Sequence, residues 1–92
     1  MSSSLASALG GAIRTWRKSS GLTQEDVARR IGITKSGWSR YESGEVQLGL
    51  LDALRAGVDI TWVYREAVRE AARTGVEFPK VVEKLRPTTF DG

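Results

Sequence analysis

The sequence predicts an all-α fold, a bundle of five or six short helices, and three observations carry that expectation. Apolar residues recur at three- and four-residue spacing along each extended segment, and strand-like alternation nowhere persists. Glycines close successive segments at Gly21, Gly32, Gly44, Gly57 and Gly75, where a left-handed residue suits a helix end. Ser4, Thr23 and Thr34 stand where helices should begin, each with a side-chain oxygen that can cap free amides.

Taken in order, Leu5, Leu9, Ile13 and Trp16 stripe a first helix that Ser19-Ser20-Gly21 ends. Thr23 opens a second, with Asp26 three residues on as a shortened capping box. Val27, Ala28 and Ile31 form its inner face. Thr34 opens a third, whose inner positions are Trp38 and Tyr41 and which closes at Ser43-Gly44. Leu48, Leu51 and Leu54 mark a short fourth helix, and Ile60, Val63, Ala67 and Ala71 a fifth. Phe78, Val81, Val82 and Leu85 suggest a sixth, with Pro79 in its first turn and Pro87 as its stop. The expected organisation is a flexible start over 1–4, a main helical unit over 5–58, a helical extension over 59–86 and a flexible tail over 87–92.

At 92 residues the chain holds one compact domain, with 40% hydrophobic residues for a core and 27% charged residues for its surface. It contains no cysteine and no histidine, so disulfides, thiolate or imidazole metal sites and nucleophile–imidazole pairs are excluded. No grouping of carboxylates, lysines and serines looks catalytic, so neither an enzyme nor a cofactor or metal is expected. No apolar run approaches the ~20 residues of a membrane span. The Met1-Ser2-Ser3-Ser4 start lacks the basic flank of a secretory signal, which makes a cytoplasmic protein the expectation. Through Val58 there are 8 Lys/Arg against 5 Asp/Glu, and beyond it 6 against 6, so the net +3 resides in the first part. That asymmetry directs a nucleic-acid partner to the N-terminal region.

The informative feature is two short helices joined by a tight turn between Gln24 and Ser43. Ala28 lies where the helices should cross, and Gly32 in the turn can adopt a positive φ at little cost. Ile33 follows as a plug beneath the turn. With Val27, Ile31, Trp38 and Tyr41 inside, the front of the third helix is left polar: Thr34, Lys35, Ser36, Ser39 and Arg40.

The run Gly21-Leu22-Thr23-Gln24-Glu25-Asp26-Val27-Ala28-Arg29-Arg30-Ile31-Gly32-Ile33-Thr34, continued by Ser39-Arg40-Tyr41-Glu42-Ser43-Gly44, resembles the lambda-repressor-like (Cro/XRE) helix-turn-helix family. The resemblance covers roughly 9–58. It implies a sequence-specific regulator of phage or bacterial type, a repressor, whose third helix enters the major groove of double-stranded DNA. Lys35, Ser36 and Arg40 match the base-reading positions, with Thr34 and Ser39 beside them. Gln24 matches the phosphate-holding residue at the head of the second helix, where free amides favour an anion. Thr23, Ser43 and Arg29 are further phosphate candidates. Arg17 and Glu42 match a pair that ties the first helix to the third and so serves the fold.

Two departures stand out. Gly37 lies inside the recognition helix, and the following loop, Gly44-Glu45-Val46-Gln47, lacks the basic residue that commonly grips phosphate. Arg29 and Arg30 fit an ordinary solvated face as well as a phosphate contact, and Arg14 and Lys18 have at most an electrostatic part. Trp38, Trp16 and Tyr41 read as core, and Trp62 as either core or interface. A reader this small suits a homodimer on half-sites about one turn apart, ~34 Å. Phe78, Val81, Val82 and Leu85 are the candidates for pairing, or alternatively for covering the chain's own core. The competing readings are an antitoxin, whose C-terminal segment covers a protein partner, and an interaction adaptor that has lost DNA.

Overall fold

The computed structural model describes residues 4–79 and contains five helices among them: α1 Leu5–Ser19, α2 Gln24–Ile31, α3 Lys35–Ser43, α4 Leu50–Ala56 and α5 Ile60–Thr74. The starts are set as the capping residues require. The Ser4 hydroxyl accepts from the Ser7 amide, and Thr34 accepts from the Gly37 amide, both at 3.0 Å. At α2 the box is reciprocal: the Thr23 hydroxyl accepts from the Asp26 amide and the Asp26 carboxylate from the Thr23 amide. That backbone bond, reinforced by the hydroxyl, holds the Asp26 carboxyl below its ordinary range. In the α2–α3 turn Gly32 has φ +73°, and the Ile33 amide closes the turn onto the Ala28 carbonyl at 3.0 Å.

α1 is central to the packing: one side lies along α5 and another along α3, while α2 contacts α3 and α4. Trp38 and Val27 are fully enclosed at the middle, surrounded by Ile13, Trp16, Ala28, Ala53, Ala56, Val58, Val63 and Ala67. Burial of α1 on two sides explains why its inner face is wider than the leucine stripe. Ala8, Gly10 and Ala12 are buried as well, since small residues allow close helix approach. α5 completes the same core as α1–α3 through Val63 and Ala67, and Trp62 packs against it half-buried.

α4 departs from the expectation. Leu48 precedes the helix, half-buried, whereas Leu51 and Leu54 point to solvent; the buried positions are Ala53 and Ala56. At seven residues and with no side-chain cap at Gly49, α4 has little intrinsic preference to set its rotation. Docking decides it instead: the two alanines admit a close approach to the core that leucines could not. Residues 76–79 are not helical, so no sixth helix begins at Phe78. Phe78 packs half-buried on the chain's own core, its ring edge-on to Tyr64 at 5.4 Å. Val81, Val82 and Leu85 lie outside the described residues.

Candidate nucleic-acid interface

The side chains on the front of α3 stand over a buried polar cluster. Arg17 of α1 reaches Glu42 of α3 through two bonds, Nε to Oε2 at 2.6 Å and Nη2 to Oε1 at 3.2 Å. Its Nη1 donates to the Leu22 carbonyl at 2.9 Å. Trp38 Nε1 donates to Glu42 Oε2, and Gln24 Nε2 to Oε1 at 2.9 Å. One carboxylate therefore joins α1, α2 and α3. Burial pushes the Glu42 carboxyl up, but the bonds from Arg17, Gln24 and Trp38 together outweigh it and hold the group below its ordinary range. Among the described residues, no buried side-chain nitrogen or oxygen is left without a partner.

With Trp38 and Glu42 turned inward, the helical period puts Ser36, Ser39, Arg40 and Ser43 on the outer side of α3. Arg40, Ser36 and Ser43 are exposed and Ser39 half-buried. Lys35 is exposed in the first turn and lines a polar cleft with Gln24, Ser39, Ser43 and Arg14. Arg14 thus joins the group more directly than its sequence position suggested. The signal available was a cation on the solvent side of the first helix, indistinguishable there from a surface charge. Thr34 is engaged as the α3 cap, and its hydroxyl lies 3.3 Å from that of Ser36. Gly37 sits directly over this cap, where a methyl would approach the Thr34 hydroxyl to 3.2 Å.

The candidate phosphate contacts divide. The Thr23 hydroxyl is occupied by its capping box, and Ser43 Oγ donates to the Arg40 carbonyl at 3.0 Å. Gln24 commits one amide hydrogen to Glu42 and retains another, next to first-turn backbone amides that have no intrahelical acceptor. Arg29 is exposed beside Asp26 and Leu22 and does not line the Lys35 cleft. Arg30 has a structural task that neither surface reading anticipated: Nη1 donates to the Ala56 carbonyl at 3.1 Å, satisfying the end of α4. Arg30→Ala is expected to cost about 0.5–1.5 kcal/mol in a thermal melt while leaving the salt dependence of DNA binding unchanged. A reduced salt slope would reassign Arg30 to phosphate. No group of three or more acidic, histidine or cysteine side chains placed to hold a metal occurs among the described residues. No described helix is long and apolar enough to cross a membrane.

A family model described as a helix-turn-helix domain matches residues 8–71, most of the chain. The chain belongs to the helix-turn-helix domain family. That match runs from α1 into α5, so this helix-turn-helix unit includes the helix that completes its core. Two solved structures of the clp gene regulator ClgR from Corynebacterium glutamicum share the fold at 24% identity. One has a TM-score of 0.70 over 77% of this chain and 80% of that one. The other has a TM-score of 0.64 over 72% and 91%. No curated protein matches the sequence significantly.

Proposed function

We propose that the chain is a sequence-specific DNA-binding transcriptional regulator of bacterial or phage type, acting as a repressor by occupying an operator as a homodimer. The observation that carries this reading is the polar outer side of α3, held rigidly over the Arg17–Glu42–Gln24–Trp38 cluster within a helix-turn-helix unit. Lys35, Ser36, Ser39 and Arg40 read base edges, and Arg40 or Lys35 suits the O6 and N7 acceptors of guanine. Gln24 and the first amides of α2 hold a phosphate, with Arg14 and Lys35 supplying positive charge around it. The likeness to a clp gene regulator accords with a regulatory role. The chain's own concentration would set operator occupancy.

Selection from random duplex DNA, followed by titration of the winner at several salt concentrations, tests the reading. A palindromic winner whose affinity falls steeply with salt is the expected result. Absence of enrichment at low salt with folded protein would overturn it. Within that assay, Arg40→Ala should cost about 1–3 kcal/mol on the selected site and relax preference at one base pair. Gln24→Ala should weaken binding to all sequences alike. Because Gln24 also supports Glu42, a melt without DNA separates loss of contact from loss of fold.

A further inference from the structure

Gly37 is the third residue of α3, where glycine weakens a helix and the fold itself does not call for one. Its φ is not among the positive ones, so the backbone would admit a side chain. The cap does not require glycine either. Thr34 accepts from the Gly37 amide at 3.0 Å, and Thr23 and Ser4 accept in the same way from Asp26 and Ser7, which both carry a Cβ. Nor does another helix crowd the position. A methyl at Gly10 would meet the α3 backbone at 2.5 Å. At Gly37 its nearest neighbours would all belong to the preceding turn: the Thr34 hydroxyl at 3.2 Å, Ile33 Cδ1 at 3.6 Å and Ile33 Cβ at 3.9 Å. The missing side chain therefore lowers the surface of α3 between exposed Thr34 and exposed Arg40, three residues before and after, and leaves half-buried Ile33 beneath.

We propose that this notch receives the 5-methyl group of a thymine in the major groove, so that Gly37 and Ile33 determine specificity at one base pair. The thymine methyl is the apolar group that the major groove offers for telling one base from another. The chemistry of the notch suits it. The Gly37 amide and the Thr34 hydroxyl are engaged with each other, so a polar base edge entering here would lose water without gaining a partner. A methyl against Ile33 loses only unfavourable hydration. Exposed Ser36 and Arg40 flank the notch and remain available to polar base edges beside it. Any side chain at residue 37 would fill the space and hold the methyl off. The contact rests on the DNA-reading function and deepens it, adding an apolar discrimination to the polar ones of Lys35, Ser36, Ser39 and Arg40.

The test uses the duplex selected from random DNA, with each thymine replaced in turn by uracil, which removes the methyl and keeps the hydrogen-bonding edge. At one position in each half-site, uracil should weaken wild-type binding by about three- to fivefold, the effect of one buried methyl. Gly37→Ala should abolish that difference and bind the thymine and uracil forms alike, with a melt confirming that the variant is folded. Ile33→Val trims the floor of the notch without adding bulk and should reduce the same difference. It decides the matter if alanine at residue 37 disturbs the Thr34 cap. A selected duplex in which no thymine responds to uracil, or a response that survives both variants, would overturn this contact and leave the DNA-reading function standing. Failure to select any duplex would overturn both.

Discussion

Exchanging Glu42 for glutamine is expected to destabilise the fold by about 3–5 kcal/mol, the consequence of stranding one charge of a buried pair. Arg17 would keep its bond to the Leu22 carbonyl and lose its anionic partner, with both side chains at least nine-tenths enclosed. Glutamine nearly matches glutamate in shape, so the loss is electrostatic rather than steric. A small domain is stable by about 5–15 kcal/mol in all, so the melting temperature should drop by roughly 15 °C or more. Combining Arg17→Met with Glu42→Leu should recover part of the loss, because no charge is then stranded. A melt of the single variant that matches wild type would show that the cluster does not hold the three helices together.

The same group gives a pH dependence of definite sign. The folded-state pKa of Glu42 is lowered, so its stabilising contribution is complete above the unfolded value and disappears as pH falls through the folded one. Wild-type stability should therefore decline in acid below the ordinary glutamate range. Glu42→Gln should decline less steeply there, as denaturant titrations from neutral to acid pH would show.

The second large effect is steric. A methyl at Gly10 would lie 2.5 Å from the Glu42 carbonyl oxygen and 2.8 Å from that of Tyr41. Both oxygens belong to the α3 backbone, so no side-chain rotation relieves the clash and α1 must move off α3. Gly10→Ala is expected to cost about 1–3 kcal/mol, even after the gain of up to ~1 kcal/mol from alanine's helix propensity. At Gly11 a methyl meets nothing within 4 Å, so Gly11→Ala should stabilise the protein by up to ~1 kcal/mol. Neighbouring glycines in one helix thus carry opposite expected signs, read by circular-dichroism melts. Similar effects at both would mean that backbone contact does not set the α1–α3 distance. Displacement of α3 by Gly10→Ala should also weaken DNA binding, since Lys35 and Arg40 move with it.

The helices of this protein were legible in its sequence because their signals are local. Ser4, Thr23 and Thr34 cap amides within three residues, and Gly21, Gly32, Gly44, Gly57 and Gly75 take positive φ where helices end. The buried Trp38 and outward Arg40 follow from the period of one short helix, and the resemblance named the partners Arg17 and Glu42. The candidate site's remaining detail depends on residues far apart in the chain. Nothing near Gln24 says that its amide meets Glu42, and nothing near Arg30 announces the Ala56 carbonyl. Gly10 reads as a poor helix residue until α3 lies against it.

α4 shows the division most clearly. Its leucines are its strongest apolar residues, and on spacing alone they should face inward. The helix is short and uncapped, however, and space beside α2 admits alanines. Sequence by itself determined where the chain becomes helical and which side of α3 is polar, since hydrogen bonds and side-chain period act over a few residues. Tertiary structure decided how α4 rotates, which arginine serves the fold and which small residues touch, since each depends on the room left by another helix.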